Sequence, residues 1–362
     1  MKKPQLLFAL ATIIAFTFSA YAQTGQPTPP PVEDDGDVIK VNSRLVVIPV
    51  SVTDANGQPV FGLKAQDFRV AEENKAQQIE QVSEAEKVPL EIALLIDVSS
   101  SVNKIFELEK SAAAQFLQGV MRPEDRATIF LITDKPVLLQ TRDTAEKTSI
   151  KVRSIAQTKS STAFYDTVTA AARYLSANAQ TRSRRVILSL SDGEDNYSEQ
   201  TRKSVVAAYK TLDVNKLTQK DLDQRANRTA KSHALAQNSV LKSLQNTDTV
   251  FYTINASGPS VKLNVASQRA QNALQQFADQ TGGTAFLPQF VTEKNSASFE
   301  KQNIRILDGI FRQISAELRA QYLLQYYSEG DFPSNKYVKL DVGLNSPQKF
   351  RVRARKGYFV KN

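Results

Sequence analysis

Buried strands and amphipathic helices alternate through the middle of the chain, and this alternation constrains the fold more than any other feature. The first strand, "LEIALLIDV", is apolar throughout, which is typical of a parallel strand that is covered on both faces. The segment that follows, "KIFELEKSAAAQFLQGV", carries its apolar residues at helical spacing. Because the pattern repeats as far as residue 320, it predicts an α/β fold with a doubly wound, mostly parallel sheet.

The segments before and after this region have a β pattern instead. In the first, Val46, Ile48, Val50 and Val52 recur at every second position and fall on one face of a strand, and an Asn-Gly hairpin signal follows at residues 56–57. In the second, "YLLQYY", "YVKLDVGL" and "KFRVRARKGYF" predict strands that have no partners of their own in the tail. We therefore expect both ends of the chain to build one small β-sandwich-like module, into which the α/β domain is inserted.

A polar segment rich in lysine and arginine, residues 197–248, interrupts the alternation and is too long for an ordinary crossover between two strands. We interpret it as a helical insertion that forms an excursion on the surface. The predicted organisation is a signal peptide (1–22), a disordered linker (23–37), the first half of the β module (38–87), the α/β domain with its insertion (88–320) and the second half of the β module (321–362).

The first 22 residues are typical of a signal peptide. Lys2 and Lys3 precede an apolar run from Leu6 to Phe18, and "SAYAQ" offers a cleavage site after Ala22. An uncleaved membrane anchor is the alternative, although the run is short for a membrane span. The chain contains no cysteine, which excludes disulfides, thiolate metal sites and cysteine nucleophiles. We therefore expect an exported bacterial protein, either periplasmic or secreted.

The strand "LEIALLIDV" leads into a set of oxygen donors. Asp97, Ser99 and Ser101 have the spacing Asp-x-Ser-x-Ser, which allows all three side chains to point toward one centre. Oxygen donors without nitrogen or sulfur suit a hard cation such as Mg2+, Mn2+ or Ca2+. Thr162, in a loop before a helix, and Asp192, directly after the strand "VILSL", add donors at strand-to-loop boundaries. Water and an oxygen of a bound ligand would complete the coordination.

These motifs resemble those of the von Willebrand factor A domain family, which includes the inserted domains of integrins. "LLIDVSSSV" is similar to the family's Asp-x-Ser-x-Ser motif, "SSTAFYDTV" to its threonine loop and "VILSLSDGED" to its later aspartate loop. The resemblance covers residues 88 to 318, and the flanks resemble bacterial secreted proteins related to this family. The resemblance implies a metal-ion-dependent adhesion site (MIDAS) formed by Asp97, Ser99, Ser101, Thr162 and Asp192. The insertion after Asn196 and the short loop in "ITDKPVLLQT" depart from the family pattern.

Simpler structural roles compete with some of these assignments. Taken alone, the Asp-x-Ser-x-Ser segment also fits a serine-rich turn that caps the next helix. We interpret Glu194 and Asp195 as solvated acids of a loop, and the alternative is that they tune the charge near the site. His233 is the only histidine and lies in the polar insertion, where we expect an exposed helical position rather than a place in a hydrolase triad.

The resemblance implies a protein-binding or adhesion function without catalysis, in which an acidic side chain of a protein partner completes the coordination of the metal. Two alternatives stay open: a structural subunit of an envelope assembly that docks through the β module, and a metal-assisted hydrolase. No general base stands out beside the site, and the sequence contains no recognisable nucleic-acid-binding module.

The C-terminal strand is basic, in a chain whose formal net charge is +9. Arg351, Arg353 and Arg355 alternate with apolar residues, so a strand would place their guanidinium groups on one face. One interpretation is a solvated outer face. The other is a patch that contacts an acidic envelope surface or a glycan.

Overall fold

The structure is a computed structural model that describes most of the chain. The predicted signal peptide and linker lie outside the described residues, and so does Ser101. None of the helices within the described residues is both long and apolar enough to cross a membrane. The described residues are 44–99, 105–210, 218–255, 257–258, 264–291, 298–346 and 348–360.

Strands occur in the middle of the described chain and at both of its ends, and the longer helices lie between them. The strands are β1 (Arg44–Thr53), β2 (Phe68–Glu72), β3 (Lys75–Gln77), β4 (Gln81–Glu84), β5 (Leu90–Asp97), β6 (Arg126–Ile132), β7 (Pro136–Asp143), β8 (Arg184–Leu190), β9 (Thr249–Ile254), β10 (Ala285–Phe286), β11 (Gln321–Ser328), β12 (Tyr337–Leu344), β13 (Arg351–Ala354) and β14 (Gly357–Phe359). The helices are α1 (Phe106–Val120), α2 (Ala145–Arg153), α3 (Phe164–Asn178), α4 (Glu199–Lys210), α5 (Gln219–Asn246), α6 (Val265–Thr281) and α7 (Phe299–Arg319).

A six-stranded sheet forms the centre of the α/β domain. Its order is β10-β9-β8-β5-β6-β7, and every neighbouring pair is parallel except β6 and β7. Strand β5 lies between β8 and β6, and all of its residues are buried. The predicted mostly parallel sheet is therefore confirmed. Asp97, the last residue of β5, lies near the middle of the edge formed by the carboxyl ends of the parallel strands.

Helices cover both faces of this sheet. On one face, α1, α2 and α7 share a core with Leu94 and Ile96 of β5. On the other face, α3, α5 and α6 share a core with Ala93 and Leu95. Because successive side chains of a strand point to opposite faces, each central strand contributes to both cores. This is why the sequence of β5 is apolar throughout rather than alternating.

The two ends of the chain pair with each other in a second, smaller module. Strand β1 pairs antiparallel with β11 from Arg44–Ser328 to Ser51–Gln321, and with β13 on its other edge. Strand β2 likewise lies between β12 and β3. The sheets β13-β1-β11-β4 and β14-β12-β2-β3 share one core, which contains the apolar face of β1 together with Leu324 and Leu340. The expected β-sandwich-like module built from both ends is confirmed.

The polar segment between β8 and β9 is more than an excursion on the surface. It contains α4 and α5, in agreement with its predicted helical character. However, Ala236, Val240 and Leu244 of α5 are buried in the core shared with α3 and α6. The second half of α5 is therefore the crossover helix between β8 and β9, and the surface interpretation is wrong for it. Few apolar residues occur along this helix, so its buried face is weak in the sequence.

The basic tail is not a uniform solvated face. Arg351 is exposed, but Arg355 follows β13 and is buried. The guanidinium of Arg355 donates to Asp248 Oδ1 (2.5 Å), and that of Arg353 donates to the carbonyl oxygen of Gly283 (3.2 Å). The expectation of three solvated guanidinium groups is therefore wrong, because two of them bind residues of the α/β domain.

Candidate metal centre

The carboxylate of Asp97, the last residue of β5, is buried at the centre of the candidate site. Its Oδ1 atom accepts a hydrogen bond from the backbone N–H of Ser99 (3.0 Å), and its Oδ2 atom accepts one from Oγ of Ser191 (2.8 Å). Ser191 follows β8, so this second bond joins the ends of two neighbouring parallel strands. Burial raises the pKa of Asp97 above its ordinary value, although these hydrogen bonds oppose the shift.

Backbone hydrogen bonds bring the threonine loop to the same edge of the sheet. The N–H of Thr158 donates to the carbonyl of Val98, directly after β5 (2.8 Å). The N–H of Ala163 donates to the carbonyl of Thr133, directly after β6 (2.7 Å). Thr162 lies between these two anchors and is buried. The loop is therefore held over the ends of β5 and β6.

A second group of hydrogen bonds joins the threonine loop to the segment after β8. The N–H of Thr162 donates to Asn196 Oδ1 (2.9 Å), and the N–H groups of Asn196 and Tyr197 donate to the carbonyl of Thr162 (3.0 and 3.1 Å). Asp192 belongs to the same segment. The structure thus places four of the five predicted site residues at one edge of the sheet: Asp97, Ser99, Thr162 and Asp192. The fifth, Ser101, lies outside the described residues.

Negative charge accumulates at this edge. Asp192 is buried, and its Oδ1 atom accepts a hydrogen bond from the N–H of Glu194 (3.0 Å). Burial is the main cause that raises the pKa of Asp192 to about 6, and the charges of Asp97 and Glu194 add to the effect. A bound cation would relieve this repulsion and favour the ionised form of both aspartates.

A third acid, Glu109, lies close to these two aspartates and was not singled out as a site residue from the sequence. It is 2% exposed in the first turns of α1, and its Oε1 atom has no hydrogen-bond partner among the described residues. Burial, followed by the charges of Asp97 and Asp192, raises its pKa to about 8. The sequence carried a signal, because Glu109 lies between Ile105 and Ala112 on the apolar face of α1, where acids are rare.

The two loop acids are not solvated in the way that the sequence suggested. Asp195 is buried, and its oxygens accept hydrogen bonds from the N–H of Tyr165 (3.0 Å) and from Oγ1 of Thr201 (2.6 Å). These bonds hold the first turns of α3 and α4 together, so its role is structural. Glu194 is half-buried and accepts a hydrogen bond from the hydroxyl of Ser267. The interpretation of both residues as solvated acids is therefore wrong.

The expectation that His233 is exposed is also wrong. Its ring is buried on α5 and packs edge-on against Tyr165, with Nδ1 at 3.4 Å from the tyrosine hydroxyl. Burial, followed by the charge of Arg269, lowers the pKa of His233 to about 4. The histidine is therefore neutral near pH 7, and its contacts are those of a packing residue between α5 and α3.

The donors at this edge fit a divalent cation with oxygen ligands. Two buried carboxylates and the hydroxyls of Ser99 and Thr162 are hard donors, and Glu109 lies beside them with one oxygen that has no partner among the described residues. Within the described residues, no three acidic or histidine side chains lie close enough together to hold a metal ion by themselves. A cation at this site therefore requires the neutral hydroxyl donors as well as the aspartates.

The chain matches the model of a known protein family. The model of the von Willebrand factor type A domain matches residues 92–194, which contain all five predicted metal ligands and Glu109. No curated protein matches the chain.

Several solved structures are similar to this chain at low sequence identity. An aerotolerance-related membrane protein from Bacteroides fragilis is 14% identical, with 61% of this chain and 99% of that chain covered and a TM-score of 0.37. The PilB minor pilin from Streptococcus sanguinis is 13% identical, with 64% and 62% covered and a TM-score of 0.42. Proximal thread matrix protein 1 from the mussel byssus, with a zinc-occupied MIDAS motif, is 12% identical, with 68% and 50% covered and a TM-score of 0.40. All three TM-scores are below 0.5, so these resemblances are distant.

Proposed function

The chain contains a von Willebrand factor type A domain, and from this premise we propose that it is an exported protein-binding or adhesion module that depends on a divalent cation. Mg2+ is the cation we favour, with Mn2+ or Ca2+ as substitutes. The proposed ligands are Asp97, Ser99, Ser101, Thr162 and Asp192. The module binds its partner without catalysis.

The charge of the ligand set supports a binding role for the cation. Only Asp97 and Asp192 carry charge, whereas the hydroxyl donors are neutral. Two carboxylates and three hydroxyls do not fill the six positions that Mg2+ prefers. A cation held by these residues would keep an open position, which a glutamate or aspartate of a protein partner would fill. The loops around the site contribute the remaining contacts and hence the choice of partner.

The strongest support for the proposal is that two buried aspartates lie at one edge of the sheet, at or just after the ends of neighbouring parallel strands. The hydrogen bond from Ser191 to Asp97 connects the ends of β8 and β5, and Asp192 follows immediately. In open α/β sheets, ligands bind at the carboxyl ends of the strands. The threonine loop, which backbone hydrogen bonds hold over the ends of β5 and β6 and join to the segment after β8, adds a donor from a third segment.

Partner capture from a bacterial envelope fraction tests this proposal. We expect the mature chain to capture its partner in Mg2+, to lose it in excess chelator, and to regain it when Mg2+ is restored. The variant Asp97→Asn keeps the size of the side chain but removes a charge, so it should capture at least about tenfold less partner.

Asp134→Asn is the matched control for this experiment. Asp134 is an exposed acid two residues after the end of β6, at the same edge of the sheet. We expect it to behave like the wild type. Equal capture with Mg2+ and with chelator would contradict a cation-dependent function.

An exposed apolar face of the β module supports a second candidate function, that of a structural subunit in an envelope assembly. Leu45 and Tyr327 lie opposite each other on β1 and β11, and are 49% and 50% exposed. Val47 continues the same face of β1. Capture that persists in chelator and disappears when Leu45 and Tyr327 are both changed to serine would favour this candidate.

A further inference from the structure

Glu109 is a buried acid that the proposed ligand set leaves unused. It belongs to the first turns of α1, which begins at Phe106 shortly after the Asp-x-Ser-x-Ser segment. Its side chain is almost completely buried, and Oε1 has no hydrogen-bond partner in the part of the chain that the structure describes. Native proteins rarely leave a buried carboxyl oxygen unpaired, so this atom indicates a missing partner.

The nearest basic side chain on the same helix does not supply that partner. Lys110 directs its Nζ atom to the carbonyl oxygen of Ile155 (2.5 Å) and to the carboxylate of Glu107 (2.8 Å). The charged groups that act on Glu109 are Asp97 and Asp192, which are both acids. A carboxylate in this position therefore has repulsive neighbours and no compensating charge, unless a cation enters the site.

We propose that Glu109 is a functional part of the cation site: it attracts the cation held by Asp97 and Asp192 from the interior of the protein, without coordinating it directly. This inference rests on the proposed function, because it assumes that these aspartates bind a cation. Direct coordination by all three acids is not supported, since no three acidic side chains within the described residues lie close enough together. Glu109 would therefore support the site through its charge, as partners of metal ligands commonly do.

This role differs from that of a buried structural residue. If Glu109 only fills space, the isosteric Glu109→Gln leaves cation affinity unchanged. If its charge attracts the cation, the same variant weakens binding by about 10- to 100-fold, the usual effect of removing a group that supports metal ligands. Glu109→Asp retains the charge on a shorter side chain, so its affinity should lie between those of the wild type and the glutamine variant.

Calorimetric titration of the mature chain with Mn2+ at pH 8.5, above the pKa of Glu109, tests the inference, and thermal unfolding of each variant in chelator checks that it folds. The matched control is Glu107→Gln, which removes the same charge from the same helix at a side chain that is 77% exposed. We expect Glu107→Gln to bind Mn2+ like the wild type, Glu109→Gln to bind at least about tenfold more weakly, and Glu109→Asp to recover part of the loss.

The outcomes separate this inference from the proposed function. Equal Mn2+ affinity of the wild type and Glu109→Gln would overturn the role of Glu109 while leaving the cation site intact. A wild-type chain that binds no Mn2+ would overturn the proposed site itself, and the inference with it. If Glu109→Gln fails to fold, Glu109→Asp provides the decision, because unchanged affinity in that variant would contradict a role that depends on the position of the charge.

Discussion

At the scale of single residues, the chemistry of the site is set by acids that the protein holds in an unfavourable environment. Burial, followed by repulsion from neighbouring acids, raises the pKa of three groups: Asp97, Asp192 (to about 6) and Glu109 (to about 8). The ordinary pKa values of Asp and Glu are 3.8 and 4.5. The folded chain therefore holds protons at a pH where the unfolded chain has released them.

This difference predicts how stability depends on pH when divalent cations are removed. An acid whose pKa is higher in the folded chain than in the unfolded chain makes its full contribution to stability below the unfolded pKa. This contribution is lost as the pH rises through the folded pKa. For Glu109, the free energy of unfolding should decline between pH 4.5 and about 8, and for Asp192 between pH 3.8 and about 6. Urea unfolding in chelator at several pH values in this interval measures the decline.

The control for this pH dependence is Glu109→Gln, which cannot titrate and should remove the upper part of the decline. Added Mn2+ should stabilise the wild type more at the upper end of the interval than at the lower end, because a cation binds the ionised acids. A free energy of unfolding that increases between pH 6 and 8 in chelator would contradict the raised pKa of Glu109.

At the scale of secondary structure elements, α5 combines two roles along one 28-residue helix. Its first half, residues 219–231, contains no buried side chain. Its second half packs on the sheet, where Val240 and Leu244 are completely buried. The helix therefore contributes to the core that positions α3 and, through α3, the threonine loop that precedes it.

Two leucines of α5 allow a matched test of this assignment. Leu244 is buried in the core, whereas Leu235 is 50% exposed on the same helix. We expect Leu244→Ala to lower the free energy of unfolding by about 2–4 kcal/mol, because it leaves a cavity in a packed core. Leu235→Ala should change the free energy by no more than about 0.5 kcal/mol. Equal effects in urea unfolding would mean that α5 lies outside the core.

At the scale of the whole molecule, the α/β domain and the β module differ in which parts of the chain form their cores. Both cores of the α/β domain consist of residues between Leu90 and Leu318. The core of the β module instead joins residues before 83 to residues after 321, such as Ile48 and Leu324. This module cannot form until both ends of the chain have come together.

Deletion of residues 321–362 tests this dependence. The deletion removes β11 and β13 from the two edges of β1, and removes β12 from β2. We expect residues 44–84 to become sensitive to protease, while the α/β domain stays folded because its cores are complete. The control is deletion of residues 361–362 alone. Protection of residues 44–84 equal to that of the full chain would contradict the shared module.

The sequence by itself determined the layers of this protein and the edge of the sheet where its chemistry lies. The apolar run of β5, the alternation along β1 and the helical spacing of α1 each report burial directly, because the period of a secondary structure decides which side chains face a core. The spacing from Asp97 to Ser99 and the position of Asp192 after β8 locate hard oxygen donors at strand ends, since those positions depend only on where each strand stops.

Only the tertiary structure decided the partners of the buried polar residues. Asp195 binds the N–H of Tyr165, and Arg355 binds Asp248, which is 107 residues away in the sequence. His233 is buried because α5 packs on α3, and Glu109 is left without a partner because its neighbours in space are acids. Local periodicity carries no information about such pairings, because a hydrogen bond or a repulsion depends on which distant segments the fold brings together.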